Sequence, residues 1–310
     1  MALNWTNLIA FAALFIILCI ANTIIYLVKN RIDEKNYVEL TQRMQSWWVM
    51  VLLLIAALSI NPMTMIVFFM FVSYLALKEY FTIIPTRRVD RRVIFIAYLS
   101  IPCQYLWVAM QWYGMFVIFV PIYMFLIIPM RMVMLQKTEG FLKASGTLHW
   151  GLMLTVYCIS HIAYLGVLPA GNDWRNEGIS LVIFLISLTQ FNDVSQYVCG
   201  KLFGHKKIIP AISPNKTRAG FLGGVITTSL LAILLSPFLT PFTWAGGLFS
   251  GLLIAISGFL GDLTMSAVKR DLGIKDTGQL LPGHGGILDR LDSIIFTAPL
   301  FFHFARYFYY

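Results

Sequence analysis

Seven stretches of this chain contain no charged residue: 1–28, 44–77, 93–130, 144–172, 178–192, 219–261 and 293–305. An α-helix needs roughly 20 apolar residues to cross the hydrocarbon core of a bilayer, with about 17 as a lower limit. Backbone polar groups in that core must be satisfied within the segment, so runs of this kind can span only as helices. The three longest, 44–77, 93–130 and 219–261, have room for helix pairs. Each is broken near its middle, at Asn61-Pro62, at Gly114 and between Pro237 and Gly247. Taken in order, the runs supply one, two, two, one, one, two and one helices. The expected fold is therefore all-α: a polytopic integral membrane bundle of about nine or ten transmembrane helices, forming one membrane-embedded domain over residues 1–310. Within it, N-terminal helices occupy about 1–172 and a more polar half about 178–310. With 59% hydrophobic and 12% charged residues, the chain holds about half the charge of a soluble domain.

Charge placement gives the sidedness. Lys and Arg gather in 29–43, 78–92, 131–143, 193–218 and 262–292, and the helix count above puts all five loops on one face. Basic loops stay cytoplasmic. Segment 1–28 lacks the basic start of a signal peptide and is too long for one, so it is read as a retained first helix. Run 178–192 is short, and 44–77 could also form a re-entrant hairpin. Cys19, Cys103, Cys158 and Cys199 have no metal-ligand spacing, and no disulfide framework is expected. Loops 29–43 and 78–92 read as ordinary connectors that follow the positive-inside rule.

The other two large basic loops are patterned. Asp262, Ser266, Lys269 and Arg270 recur at helical spacing on one stripe as a helix leaves an apolar run, where an ionisable group is costly and is a functional candidate. Gly283, His284, Gly285 and Gly286 follow, a turn whose amides can approach an anion. Asp289 and Asp292 then share the first turns of the last helix. Hard oxygen ligands beside Lys and Arg suit a magnesium-nucleotide site, since Mg²⁺ takes one or two carboxylates plus substrate phosphates. An ion-pair network closing a hairpin would explain one Asp or Arg but not the whole set. Asp193, Gln196, Tyr197 and Gly200 form a second stripe, followed by Gly204, His205, Lys206, Lys207, Ser213, Lys216 and Thr217. By physics alone this second stretch suits either phosphate binding or attraction to anionic lipid.

The run Ser266, Lys269, Arg270, Lys275, Asp276, Pro282, Gly283, His284, Gly285, Gly286, Asp289, Arg290 and Asp292 resembles the signature of the phosphatidate cytidylyltransferase (CDP-diacylglycerol synthase) family. Asp193, Tyr197, Gly200, Gly204, Ser213, Pro214, Lys216 and Thr217 resemble a second family segment. The likeness is good over about Leu181 to Ser293. It implies cytidylyl transfer from CTP to phosphatidate in phospholipid biosynthesis, with Mg²⁺, and with K⁺ as an optional second ion. Asp262 and Asp289 become the implied metal ligands, aided by Asp292, and Lys269 and Arg270 join the catalytic set. Asp193, Ser213, Lys216, Thr217, Ser266, Lys275, Asp276, His284, Gly285, Gly286 and Arg290 become the implied substrate-binding residues. The implied partners are CTP, phosphatidate or a related anionic lipid, and the membrane. No nucleic acid is expected, and a homodimer is left open. The implied location is the inner (plasma) membrane of a bacterium, with the site facing the cytoplasm. Two departures stand out: Gln196 replaces the usual Ala, and Arg218-Ala219 replaces an aromatic-plus-Glu pair. A paralogue acting on a related phosphomonoester lipid is compatible with them. The rival class is a transporter of an anionic lipid or nucleotide, against which the charges gather on one face and no repeated halves are visible.

Overall fold

The structure, a computed structural model, describes residues 5–29, 33–168, 174–278, 283 and 285–310. Ten helical rods make up the described fold: α1 (Trp5–Val28), α2 (Glu34–Ile60), α3 (Pro62–Ile83), α4 (Arg91–Ala109), α5 (Tyr113–Val133), α6 (Phe141–Gly166), α7 (Trp174–Phe203), α8 (Arg218–Leu239), α9 (Trp244–Asp271) and α10 (Leu288–Tyr309). Among the described residues, α1 to α9 are long and apolar enough to cross a membrane. The rod α10 is of spanning length but carries Asp289, Arg290, Asp292 and Arg306. The chain is a polytopic helical membrane protein, as the apolar runs require.

Local chemistry sets the helix ends. At the first expected break, the Asn61 side chain accepts from the Thr64 amide at 2.7 Å and Pro62 opens α3, so the run 44–77 forms two full-length helices and not a short re-entrant pair. Proline suits this position because its missing N–H would be unpaired there anyway. The second break falls slightly before Gly114, at Gln111, whose φ of 54° makes the turn. Tyr164 donates to the Gln111 carbonyl at 2.9 Å and holds that conformation. Thr243 caps α9 through the Gly246 amide at 3.3 Å. The short run 178–192 becomes a full-length helix because α7 continues through Asp193 and Gln196 without a break.

Only 11% of the apolar stretch of α1 is buried in the protein, against 78% for α6 and 67% for α7. The first helix therefore lies at the lipid-facing edge, and α6 and α7 lie at the centre. One buried hydrogen bond, from Ser180 Oγ to Asn7 Oδ1 at 2.6 Å, ties α1 to α7. Helices α7 to α10 pack closely, and small residues permit this. At Gly261 a Cβ would collide with the Asp292 carbonyl of α10. Without a hydrophobic drive between helices in lipid, such close approach is a main source of association. It also brings the polar stripe of α9 against the start of α10.

Candidate active site

The two polar segments meet at one end of the α7–α10 group. Thr217 caps α8 by accepting from the Gly220 amide at 3.1 Å, and this fixes Lys216 one residue earlier. The Lys216 ammonium pairs with Asp262 Oδ2, so the 193–218 and 262–292 stretches are joined directly. It also donates to Gln196 Oε1 at 3.2 Å. Gln196 thus supports Lys216 through a bond that the usual Ala could not make. Ser266 donates to Asp262 Oδ1 at 3.2 Å, as the shared stripe predicts. Arg270 reaches across to the Ile212 carbonyl at 3.2 Å and ties α9 to the other loop.

Three carboxylates from three helices lie within electrostatic range of one another: Asp193 of α7, Asp262 of α9 and Asp292 of α10. Asp193 accepts from Ser293 Oγ at 3.0 Å, and Asp292 accepts from the Ser293 amide at 2.8 Å. Lys216, Lys269 and Arg290 balance them. Among the described residues the buried Arg290 Nε has no hydrogen-bond acceptor, a cost that an incoming anion would remove. Among the described residues no three His, Cys, Asp or Glu side chains already form a metal cage. A hard divalent cation that takes one or two carboxylates and completes its shell with phosphate and water fits this acid-rich surface.

Asp289 is placed differently. Its Oδ1 accepts from Lys269 at 2.8 Å. Its Oδ2 accepts from the Thr277 amide at 2.8 Å and the Gly286 amide at 3.0 Å, and lies 2.9 Å from the Thr277 hydroxyl oxygen, whose one proton it shares with a second acid. The carboxylate therefore latches both ends of the glycine-rich loop to α9. Gly285 has a φ of 79°, a backbone region open to glycine and strained for other residues. The anion held by the Gly286 amide is thus the protein's own carboxylate, where the sequence suggested a substrate phosphate.

Sequence reasoning missed Glu79, on α3. Its carboxylate accepts from Thr277 Oγ1 at 2.5 Å, the Ile287 amide at 2.8 Å and the Leu288 amide at 3.0 Å. It caps the positive end of α10, where a negative charge is favourable. A Cβ on Gly286 would strike Glu79, which explains that glycine. Arg43 of α2 adds a bond to the Gly283 carbonyl at 3.0 Å. The N-terminal helices therefore help to shape the polar loop. The one visible signal was a lone acid at the end of the 44–77 run.

The remaining expected residues are scattered around this centre. Ser213 and Lys216 are half-buried, and Lys275 and Asp276 are exposed on the loop. The Thr217 hydroxyl is used in capping α8. Tyr197 is 68% exposed and points away from the stripe it shares by spacing with Asp193. His284 and Pro282 lie outside the described residues.

Membership follows from comparison with known proteins. The sequence profile of the cytidylyltransferase family matches residues 41–308; the chain belongs to that family. The match extends far into the N-terminal helices, including Arg43 and Glu79. The chain is also 43% identical over 296 residues to the Escherichia coli K12 protein named "Uncharacterized protein YnbB", covering 96% of this chain and 97% of that one. It is 38% identical over 154 residues to a phosphatidate cytidylyltransferase of Staphylococcus epidermidis, and 40% identical over 154 residues to one of Staphylococcus saprophyticus. Each of these alignments covers 49% of this chain and 59% of the relative.

Proposed function

We propose that this protein transfers the cytidylyl group of CTP to phosphatidate, releasing pyrophosphate and forming CDP-diacylglycerol at a membrane surface. The observation that carries this reading is the convergence of Asp193, Asp262 and Asp292 with Lys216, Lys269 and Arg290 at the end of the helix bundle. A phosphate oxygen of the lipid attacks the α-phosphorus of CTP. The bond from that phosphorus to the bridging oxygen breaks, and its electron pair leaves with pyrophosphate. Both reactants are polyanions, so positioning and charge neutralisation carry most of the catalysis.

Lys216, Lys269, Arg270, Arg290 and the exposed Lys275 are the cations available for phosphate oxygens. In this reading Asp262 and Asp292 would hold Mg²⁺, with Asp193 beside them. Asp289 would join them through Oδ1, which also accepts from Lys269. Mg²⁺, when bound, neutralises phosphate charge and orients the reacting oxygens. Because the polar centre lies where the apolar helices end, CTP can enter from water while the lipid keeps its chains in the bilayer.

The test uses the purified full chain in detergent with CTP labelled at the α-phosphorus, Mg²⁺ and phosphatidate. Label should move into lipid in equal amount with pyrophosphate release. Transfer only to another phosphomonoester lipid would reassign the acceptor and point to the Arg218-Ala219 departure. No transfer to any such lipid would overturn the reading.

A further inference from the structure

A second polar feature lies on the same end of the molecule, among residues that the charge pattern marks only as a connector. Asp90 is the one acid between Glu79 and Glu139. Its side chain is buried and held by Arg87, from Nε at 2.6 Å and from Nη2 at 2.8 Å. Arg87 also donates to the backbone carbonyls of Lys137, at 3.3 Å, and Glu139. This clamp fixes the segment before α4 against the turn after α5.

The clamp occupies Asp90, the acid next to Arg91 and Arg92 in sequence. Arg91 and Arg92 in the first turn of α4, and Arg131 in the last turn of α5, line one open cleft of about 390 Å³ together with Phe95 and Ile96. Among the described residues none of the three forms a salt bridge. The first turn of α4 contains no acid, and Asp90 makes no side-chain capping bond to it. Two guanidinium groups therefore sit at the positive end of a helix, where cations are unfavourable. The positive-inside rule explains their sign but not their convergence on one cleft.

The walls say what kind of anion fits. Phe95 is 67% exposed and continues the apolar surface of α4 directly below the arginines. The cleft thus joins a cationic mouth to a lipid-facing wall. Free phosphate would use the first and not the second. Arginine forks bind phosphate oxygens in pairs, and basic pockets between transmembrane helices suit anionic headgroups. We infer that Arg91, Arg92 and Arg131 bind the phosphate headgroup of a resident anionic phospholipid, with its chains along Phe95 and Ile96, at a position separate from the acidic centre.

The test titrates the purified full chain in detergent with dioctanoyl phosphatidylglycerol and follows the midpoint of thermal unfolding. The midpoint should rise saturably. Combining Arg91→Gln, Arg92→Gln and Arg131→Gln should weaken half-saturation by roughly tenfold or more, since each basic residue near an anionic surface contributes about fivefold. Arg131→Gln alone, the mildest change, should weaken it about threefold. Combining Lys29→Gln and Lys201→Gln removes exposed charges elsewhere and should leave the parent value. Equal half-saturation in the parent and the arginine variants would overturn the site, as would equal loss in the lysine control. A match by dioctanoyl phosphatidylcholine or by inorganic phosphate would overturn the assignment to an anionic lipid.

Discussion

At the residue scale, Asp289 shows how one carboxylate can hold a loop beside a cluster of acids and bases. It accepts bonds from Lys269 and from the Thr277 and Gly286 amides. Asparagine has one acceptor oxygen and turns an NH₂ group toward donors, so it cannot replace this pattern. Asp289→Asn should abolish lipid labelling and also lower stability by about 2–3 kcal/mol, the scale of a lost hydrogen bond to a buried charged group. Activity and denaturant midpoint measured on the same preparation check both; near-parent activity would remove Asp289 from the reaction. Asp262→Asn breaks the pair with Lys216 but leaves the loop latch intact. It should eliminate turnover with a smaller loss of stability. A reversed order of stability between the two variants would contradict this division of roles. At Ala219, beside the capping Thr217, a change to Glu should alter the choice between phosphatidate and other phosphomonoester lipids more than it alters the half-saturation for CTP, because charge complementarity mainly sets selectivity. Identical acceptor ratios in mixed-lipid competition would make the departure neutral.

At the scale of elements, the decisive contact is between α3 and the loop that leads into α10. Glu79 joins the Thr277 hydroxyl to the first amides of α10, so one side chain from the N-terminal helices sets the path of a loop far away in sequence. Glu79→Ala leaves the Ile287 and Leu288 amides without their acceptor, and each unmet buried group costs about 1–3 kcal/mol. The expected result is faster hydrogen exchange at Ile287 and Leu288, earlier proteolysis between 272 and 287, and at least a tenfold loss of activity. Glu79→Gln, which keeps one acceptor, should recover part of each. Unchanged exchange in the alanine variant would show that Glu79 does not hold the loop.

At the scale of the whole molecule, the polar centre and the Arg91–Arg92–Arg131 cleft lie at one end of the bundle, since α3 and α4 are joined by a short turn beside Glu79. The Lys and Arg distribution predicts that this end faces the cytoplasm. Cysteines introduced at the exposed positions Lys206 and Lys275 should resist a membrane-impermeant maleimide added outside intact cells and react after permeabilisation. Ready labelling of either from outside would reverse the orientation.

The helix count was legible in the sequence because the length and charge of an apolar run are local properties, and a bilayer acts on them directly. The stripe that brings Ser266 to Asp262 was legible for a similar reason: spacing along one helix fixes which side chains share a face. The same rule failed for Tyr197, since a face is useful only relative to a neighbour, and α8 packs beside Gln196 instead. Glu79 had no spacing to reveal it. The difference between Asp289 and Asp292 was equally hidden, because both carry the same charge within one turn of α10. Only the tertiary path of the loop decided that amides surround the first and acids face the second. Hydrogen bonds are short and directional, so partners distant in sequence acquire meaning only when packed helices bring their donors and acceptors together.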